Sequence, residues 1–127
     1  MKSLTKKAHV PFSAKQMYDL VNDVAAYKTF MPYCKESLVL INAPDHMQAS
    51  LTFGAYGIEK SFTTDNQLEP GEKITIRLVE GPFESLSGYW SFEPDGINQC
   101  DVTVSFSFEV TPLIRPIFEP LFEEIAS

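Results

Sequence analysis

Val79-Glu80-Gly81-Pro82-Phe83-Glu84-Ser85-Leu86-Ser87-Gly88-Tyr89-Trp90-Ser91-Phe92-Glu93-Pro94 is the stretch whose reading decides the fold. Gly81-Pro82 makes a turn, because glycine tolerates unusual φ and proline then fixes it. From Leu86 the residues alternate. Leu86, Gly88, Trp90 and Phe92 face one way, and Ser85, Ser87, Tyr89 and Ser91 the other. A two-residue period with one apolar face is a half-buried strand. Glu93-Pro94-Asp95-Gly96 closes it with turn chemistry. The apolar face carries the only Trp of the chain, two residues from a glycine. A glycine inside a strand marks a bulge, a bend or the close approach of another group. A bent strand with a large aromatic on its concave side predicts a sheet wrapped around contents, either a helix or a ligand.

Working outward, the same alternation recurs. Cys100, Val102, Val104, Phe106, Phe108 and Val110 alternate with polar residues in the longest clean run of the chain, predicting one core face and one wet face. His46–Phe53 alternates with Met47, Ala49, Leu51 and Phe53 inward. Ile58–Leu68 places Ile58, Phe62 and Thr64 inward, and Lys73–Val79 places Ile74, Ile76 and Leu78 there. Glu36–Asn42 is apolar on both faces, and Ser3–Val10 reads as the first strand. Between the first strand and the rest, Ser13 and Gln16 form a capping box for a helix over 14–22 with Met17, Leu20 and Val21 inward. Asp23 is placed to cap a second short helix over 24–30, which Pro32 ends. Leu113, Ile114, Ile117, Phe118, Leu121, Phe122 and Ile125 carry helical spacing, broken by Pro116 and Pro120. The expected fold class is α+β: a curved antiparallel sheet of about seven strands gripping a C-terminal helix, in one domain over 1–127.

The 127 residues carry a net charge of −7, unevenly spread. The first 35 residues hold six lysines against Asp19 and Asp23, a net of +4, and the remainder carries −11. The overall acidity argues against broad nucleic-acid binding, so DNA is not an expected partner. Lys6, Lys7, Lys15, Lys28 and Lys35 are either a solvated fringe or a local phosphate-contacting patch. No apolar run approaches the ~18 residues of a transmembrane span, and the start lacks a signal-peptide core. Cys34 and Cys100 have no metal or redox spacing, so both are expected to be buried thiols of a reduced compartment. His9 ends a strand and His46 sits beside a turn. Neither belongs to a site motif, no Gly-rich phosphate loop is present, and no catalytic constellation emerges.

Two motifs carry a resemblance. Tyr27-Lys28-Thr29-Phe30-Met31-Pro32-Tyr33-Cys34 matches a pattern Tyr-Pro-x-Phe-Leu-Pro-Trp-Cys, with Lys28 in place of Pro and Tyr33 in place of Trp. Val79-Glu80-Gly81-Pro82-Phe83, followed by Leu86, Gly88, Trp90, Phe92 and Pro94, is the second, with a weaker match at Phe62-Thr63-Thr64. The chain resembles the bacterial RatA (ribosome association toxin) and mitochondrial coenzyme-Q-binding family of the START-like helix-grip superfamily. That resemblance implies a non-enzymatic domain binding a hydrophobic ligand, ubiquinone or a related prenyl lipid, between sheet and last helix. Alternatively, it implies docking on the large ribosomal subunit to block subunit joining. A cyclase is a distant third. The candidate cavity residues are Phe30, Met31, Met47, Phe53, Phe62, Leu78, Trp90, Phe106, Phe118 and Phe122. The five lysines are the candidate ribosome-facing patch. In the family the last helix continues past the point matched by Ser127, so the expectation is either that the sequence is a piece of a longer chain or that the helix is shortened here. An uncovered apolar patch would favour a homodimer. The expected compartment is the cytoplasm, with peripheral membrane contact.

Overall fold

The computed structural model describes residues 2–55, 57–112 and 115–116. The expected C-terminal helix, with Phe118 and Phe122, lies outside them. Seven strands follow in chain order: β1 (Lys2–Val10), β2 (Cys34–Asn42), β3 (His46–Ala55), β4 (Ile58–Glu69), β5 (Lys73–Glu80), β6 (Phe83–Pro94) and β7 (Cys100–Val110). They form one sheet in the order β1-β7-β6-β5-β4-β3-β2, each neighbouring pair antiparallel. Every link from β2 to β7 is therefore a hairpin. The one long connection carries the helices from β1 on one edge to β2 on the other.

The sheet curls where its pairing is broken. Thr63 pairs with Glu80 and Thr64 with Leu78, which leaves Val79 as an extra residue. Phe83 pairs with Val110 and Ser85 with Glu109, which leaves Glu84 extra. Both bulges flank the Gly81-Pro82 turn, and a bulge bends its strand and tightens its twist. β2 has two more, at Lys35 and Leu40. These, together with its edge position, explain its two apolar faces. Ser37 and Val39 pair with inward residues, whereas Leu38 and Ile41 turn outward and, with Leu40, are exposed.

The convex face is polar. Ser3 bonds Ser107 at 3.1 Å and Thr5 bonds Ser105 at 3.0 Å between their hydroxyls. Thr52 bonds Ser61 in the same way at 2.6 Å. At the end of the β1–β7 ladder, His9 meets Asp101 at 2.8 Å and Gln99 at 2.8 Å. The hydrogen bond to Asp101 raises the His9 pKa above its ordinary 6.5, helped by Gln99.

Helix α1 (Ala14–Asn22) starts on the expected capping box: Gln16 N–H donates to Ser13 Oγ at 3.1 Å and Ser13 N–H to Gln16 Oε1 at 2.9 Å. Its buried residues are Ala14 and Tyr18, with Met17 and Val21 beside them. Leu20 is 58% exposed, because the packed face centres on Tyr18, whose ring meets Phe92 edge-on at 5.8 Å. The second helical stretch divides into a 3₁₀ turn, Val24–Ala26, and α2 (Tyr27–Phe30). Asp23 makes no side-chain cap there; its backbone carbonyl accepts from Ala26 N–H at 3.1 Å instead. Ser37 ties these turns to β2: its hydroxyl donates to Ala25 O at 3.0 Å and accepts from Lys28 N–H at 3.2 Å.

The concave face holds two separate buried clusters. One gathers Tyr18, Met47, Leu68, Ile74, Phe92 and Val102 under α1. The other gathers Cys34, Phe53, Phe62, Phe83, Leu86 and Phe108 toward the Gly81 turn. Both thiols are buried, and burial pushes their pKa values up.

Candidate ligand cavity

Each central strand reads cluster, gap, cluster along its inward face. β4 runs Phe62, Thr64, Asn66, Leu68, and β6 runs Leu86, Gly88, Trp90, Phe92. β7 runs Val102, Val104, Phe106, Phe108. Of the middle residues, Thr64, Asn66, Trp90, Val104 and Phe106 line a cavity of about 170 Å³, walled at one end by Phe62, Leu86 and Phe108. On the helix side Val24, Tyr27 and Met31 close it; on the sheet side Ala49, Leu51 and Ile76 join the central strands. An apolar cavity of roughly 150 Å³ takes up one benzene ring, whereas drug-sized sites span roughly 300–1,000 Å³. The space therefore suits one ring and not a long chain.

Of the ten sequence-expected cavity residues, Phe118 and Phe122 lie outside the described residues and the other eight divide into three groups. Met31, Phe53, Phe62, Trp90 and Phe106 line the cavity. Met47 and Leu78 face inward but pack into the flanking clusters, Met47 under α1 and Leu78 against the far one. Phe30 lies on the other side of α2, 60% exposed, with its ring edge-on to Tyr27 at 5.8 Å. Met31 is carried inward instead, because the chain leaves the helix there in an extended conformation with its N–H donated to Tyr27 O at 2.8 Å.

Trp90 stacks parallel to Phe92, with ring centroids 6.5 Å apart. Phe106 is placed by Gly88. A Cβ at Gly88 would lie 2.5 Å from Phe106 Cδ1 and 2.3 Å from Ser105 O. The missing side chain lets the Phe106 ring lie across the neighbouring strand, so the close approach expected at this glycine is to the protein's own ring.

Among the described lining residues, Tyr27, Thr64 and Asn66 are polar, and Trp90 adds an indole N–H. Tyr27 donates its hydroxyl to Val21 O, and burial raises its pKa. It is the only titratable side chain among the described lining residues. Asn66 is 5% exposed, and its Oδ1 has no hydrogen-bond partner. The sequence reading missed Asn66. The signal was available: a polar residue at an inward position midway along a strand is more informative than another buried aromatic.

The histidines stand elsewhere. His9 is on the outer edge, and His46 pairs with Asp65, which also accepts from Arg77 at 3.0 Å. The hydrogen bond to His46, more than that to Arg77, holds the Asp65 carboxyl below its ordinary pKa of 3.8.

The five lysines do not meet on one face. Lys6 and Lys7 are consecutive in β1, opposite Val104 and Thr103, so Lys6 is on the concave side and Lys7 on the convex. Lys15 is paired with Asp19 at 2.6 Å on α1. Lys28 and Lys35 belong to α2 and β2 at the opposite edge of the sheet.

Residues 10–127 match the family model for polyketide cyclase / dehydrase and lipid transport. The chain belongs to that family. The ribosome association toxin RatA of Vibrio cholerae is 44% identical over the whole of this chain and 89% of its own length. The mitochondrial coenzyme Q-binding protein of Drosophila melanogaster is 30% identical over 95% of this chain, which spans 52% of that protein. Among solved folds, the Zhui aromatase/cyclase from Streptomyces superposes with a TM-score of 0.82 at 18% identity, covering 98% of this chain and 86% of that one. The chain is thus similar to proteins named as a ribosome association toxin and as a coenzyme Q-binding protein, and it shares its fold with an aromatase/cyclase. Fold alone does not separate them. Among the described residues, no helix is long and apolar enough to cross a membrane.

Proposed function

We propose that this protein holds the ring of a hydrophobic ligand of the prenyl quinone kind in the cavity between sheet and helices, without catalysing a reaction on it. The observation that carries this reading is the ring-sized gap between two well-packed clusters. A core with no ligand to house would close such a gap, because interiors pack to crystal density. Among the described lining residues there is no acid, base or thiol to run chemistry, and the single titratable one, Tyr27, is already committed to Val21 O. Size further requires that a prenyl tail lie outside the cavity. The relationship to a coenzyme Q-binding protein supports the ligand class.

Trp90 is the only Trp and lines the space, so it reports directly on occupancy. Titration with a one-isoprene ubiquinone analogue is expected to quench its fluorescence saturably, at one ligand per chain. Quenching that stays linear in ligand concentration rejects the reading.

A second reading rests on the relatives named ribosome association toxin: docking on the large ribosomal subunit, so that subunit joining is blocked. The cationic side chains for it come from two separate edges, Lys7 on one and Lys28 with Lys35 on the other. If this handful of lysines contacts phosphates, co-sedimentation with large subunits should fall at least about tenfold between roughly 50 and 200 mM salt. A flat salt response excludes a phosphate-based contact.

A further inference from the structure

Among the described cavity residues, Asn66 is the one whose buried polar atom is left without a partner. It stands on β4 between Met47 of β3 and Ile76 of β5, in the middle of the sheet, where no bulge or edge brings water to it. The described lining is otherwise apolar apart from Thr64, two residues along the same face of β4, Tyr27, whose hydroxyl is donated to Val21 O, and the Trp90 indole, and none of these donors is bonded to the Asn66 oxygen. A buried oxygen without a partner costs the protein stability, typically as much as a good hydrogen bond returns. Apolar residues of similar size would fill this position at no such cost. An acceptor held ready in an apolar, ring-sized space is the arrangement of a binding site: mostly apolar walls with few placed polar groups.

Resting on the cavity reading above, we infer that Asn66 Oδ1 accepts a hydrogen bond from a hydroxyl on the bound ring, so that the site selects phenol-type rings, the reduced quinol included, over rings carrying only carbonyls. Selection follows from the asymmetry of buried polar groups. A hydroxyl-bearing ring satisfies the Asn66 oxygen and its own O–H together. A methyl in the same place leaves the oxygen bare, and a ring carbonyl sets two acceptors against each other.

The test uses three rings of nearly the same shape: 4-methylphenol, p-xylene and 4-methylbenzaldehyde. Their Kd values are measured by NMR titration on the wild-type protein and on Asn66→Leu. The ratio of the p-xylene Kd to the 4-methylphenol Kd is compared between the two proteins, which cancels each probe's hydration. Wild type is expected to show a ratio about tenfold higher than Asn66→Leu. Equal ratios overturn the role of Asn66. On wild type alone, the Asn66 side-chain amide resonances are expected to move with 4-methylphenol and stay with p-xylene. Shifts that are the same for both overturn the inference even if the variant fails to fold. A wild-type preference for 4-methylbenzaldehyde over 4-methylphenol overturns it too, since it would mean the amide presents its NH₂ to the ring. Failure of all three rings to bind wild type is a different result, because it removes the cavity reading itself.

Discussion

Gly88→Ala is expected to lower the unfolding free energy by about 3 kcal/mol and the melting temperature by about 10 °C. The substitution looks mild and in most strands would be. Replacing glycine by alanine where the backbone allows it stabilises by roughly 0.4–1 kcal/mol, since the unfolded chain loses freedom. Here the new Cβ lies 2.3 Å from the backbone oxygen of Ser105 and 2.9 Å from Phe106 Cγ. The Phe106 ring can swing, but the Ser105 oxygen belongs to the β6–β7 ladder, where Gly88 faces Phe106 and Tyr89 faces Ser105. Relief therefore means separating two central strands or moving the ring into the cavity. Either cost exceeds the entropic gain several-fold. Urea unfolding followed through Trp90 measures it. A variant that melts within about 2 °C of wild type would show that the two strands yield freely.

The same residue shows how far the sequence could be read. Period-two alternation places Gly88, Trp90 and Phe92 on one face, and it is the strand geometry itself that makes this legible. The capping box at Ser13 and Gln16 is equally local, since both partners lie within one turn. The seven-strand antiparallel sheet follows from such patterns, whereas the family rests on resemblance at the Tyr27–Cys34 and Val79–Pro94 motifs.

What alternation cannot say is whether the middle of a face is filled. Met47 and Phe53 have the same parity on β3, yet Met47 packs into the cluster under α1 while Phe53 borders the cavity. Their difference depends on where the helices cover the sheet, which no single strand encodes. Bulges shift the parity itself. At β2 two extra residues turn Leu38 and Ile41 outward, and apolar content alone gave no warning. Phe30 and Met31 are adjacent, and only the exit of the chain from α2 decides that Met31 enters the cavity. The lysines are a further case. Their proximity in sequence suggested a patch, but residues 6 and 7 necessarily face opposite ways in a strand.

Ala49→Phe should abolish ring binding, with the apparent Kd of the one-isoprene quinone analogue rising at least about 100-fold, while the protein stays folded. Ala49 lines the cavity from β3, opposite Val39 on one side and Thr64 on the other, and shares its face with Leu51 and Phe53. A phenyl ring grown from its Cβ occupies the space that the ligand ring would take, and a site of about 170 Å³ has no room for both. Overpacking a full core costs about 1–3 kcal/mol, but filling an existing void recovers apolar contact, so the net change in stability should be small. The two quantities together discriminate. Lost binding with an unchanged melting temperature places the ligand in the cavity. Retained binding in a folded variant places it elsewhere and removes the function proposed for Trp90 and Phe106 together. Co-sedimentation with large ribosomal subunits provides the remaining comparison. If cavity and ribosome contact are independent, Ala49→Phe leaves co-sedimentation at its wild-type level. If it falls along with quinone binding, occupancy of the cavity governs the surface that docks.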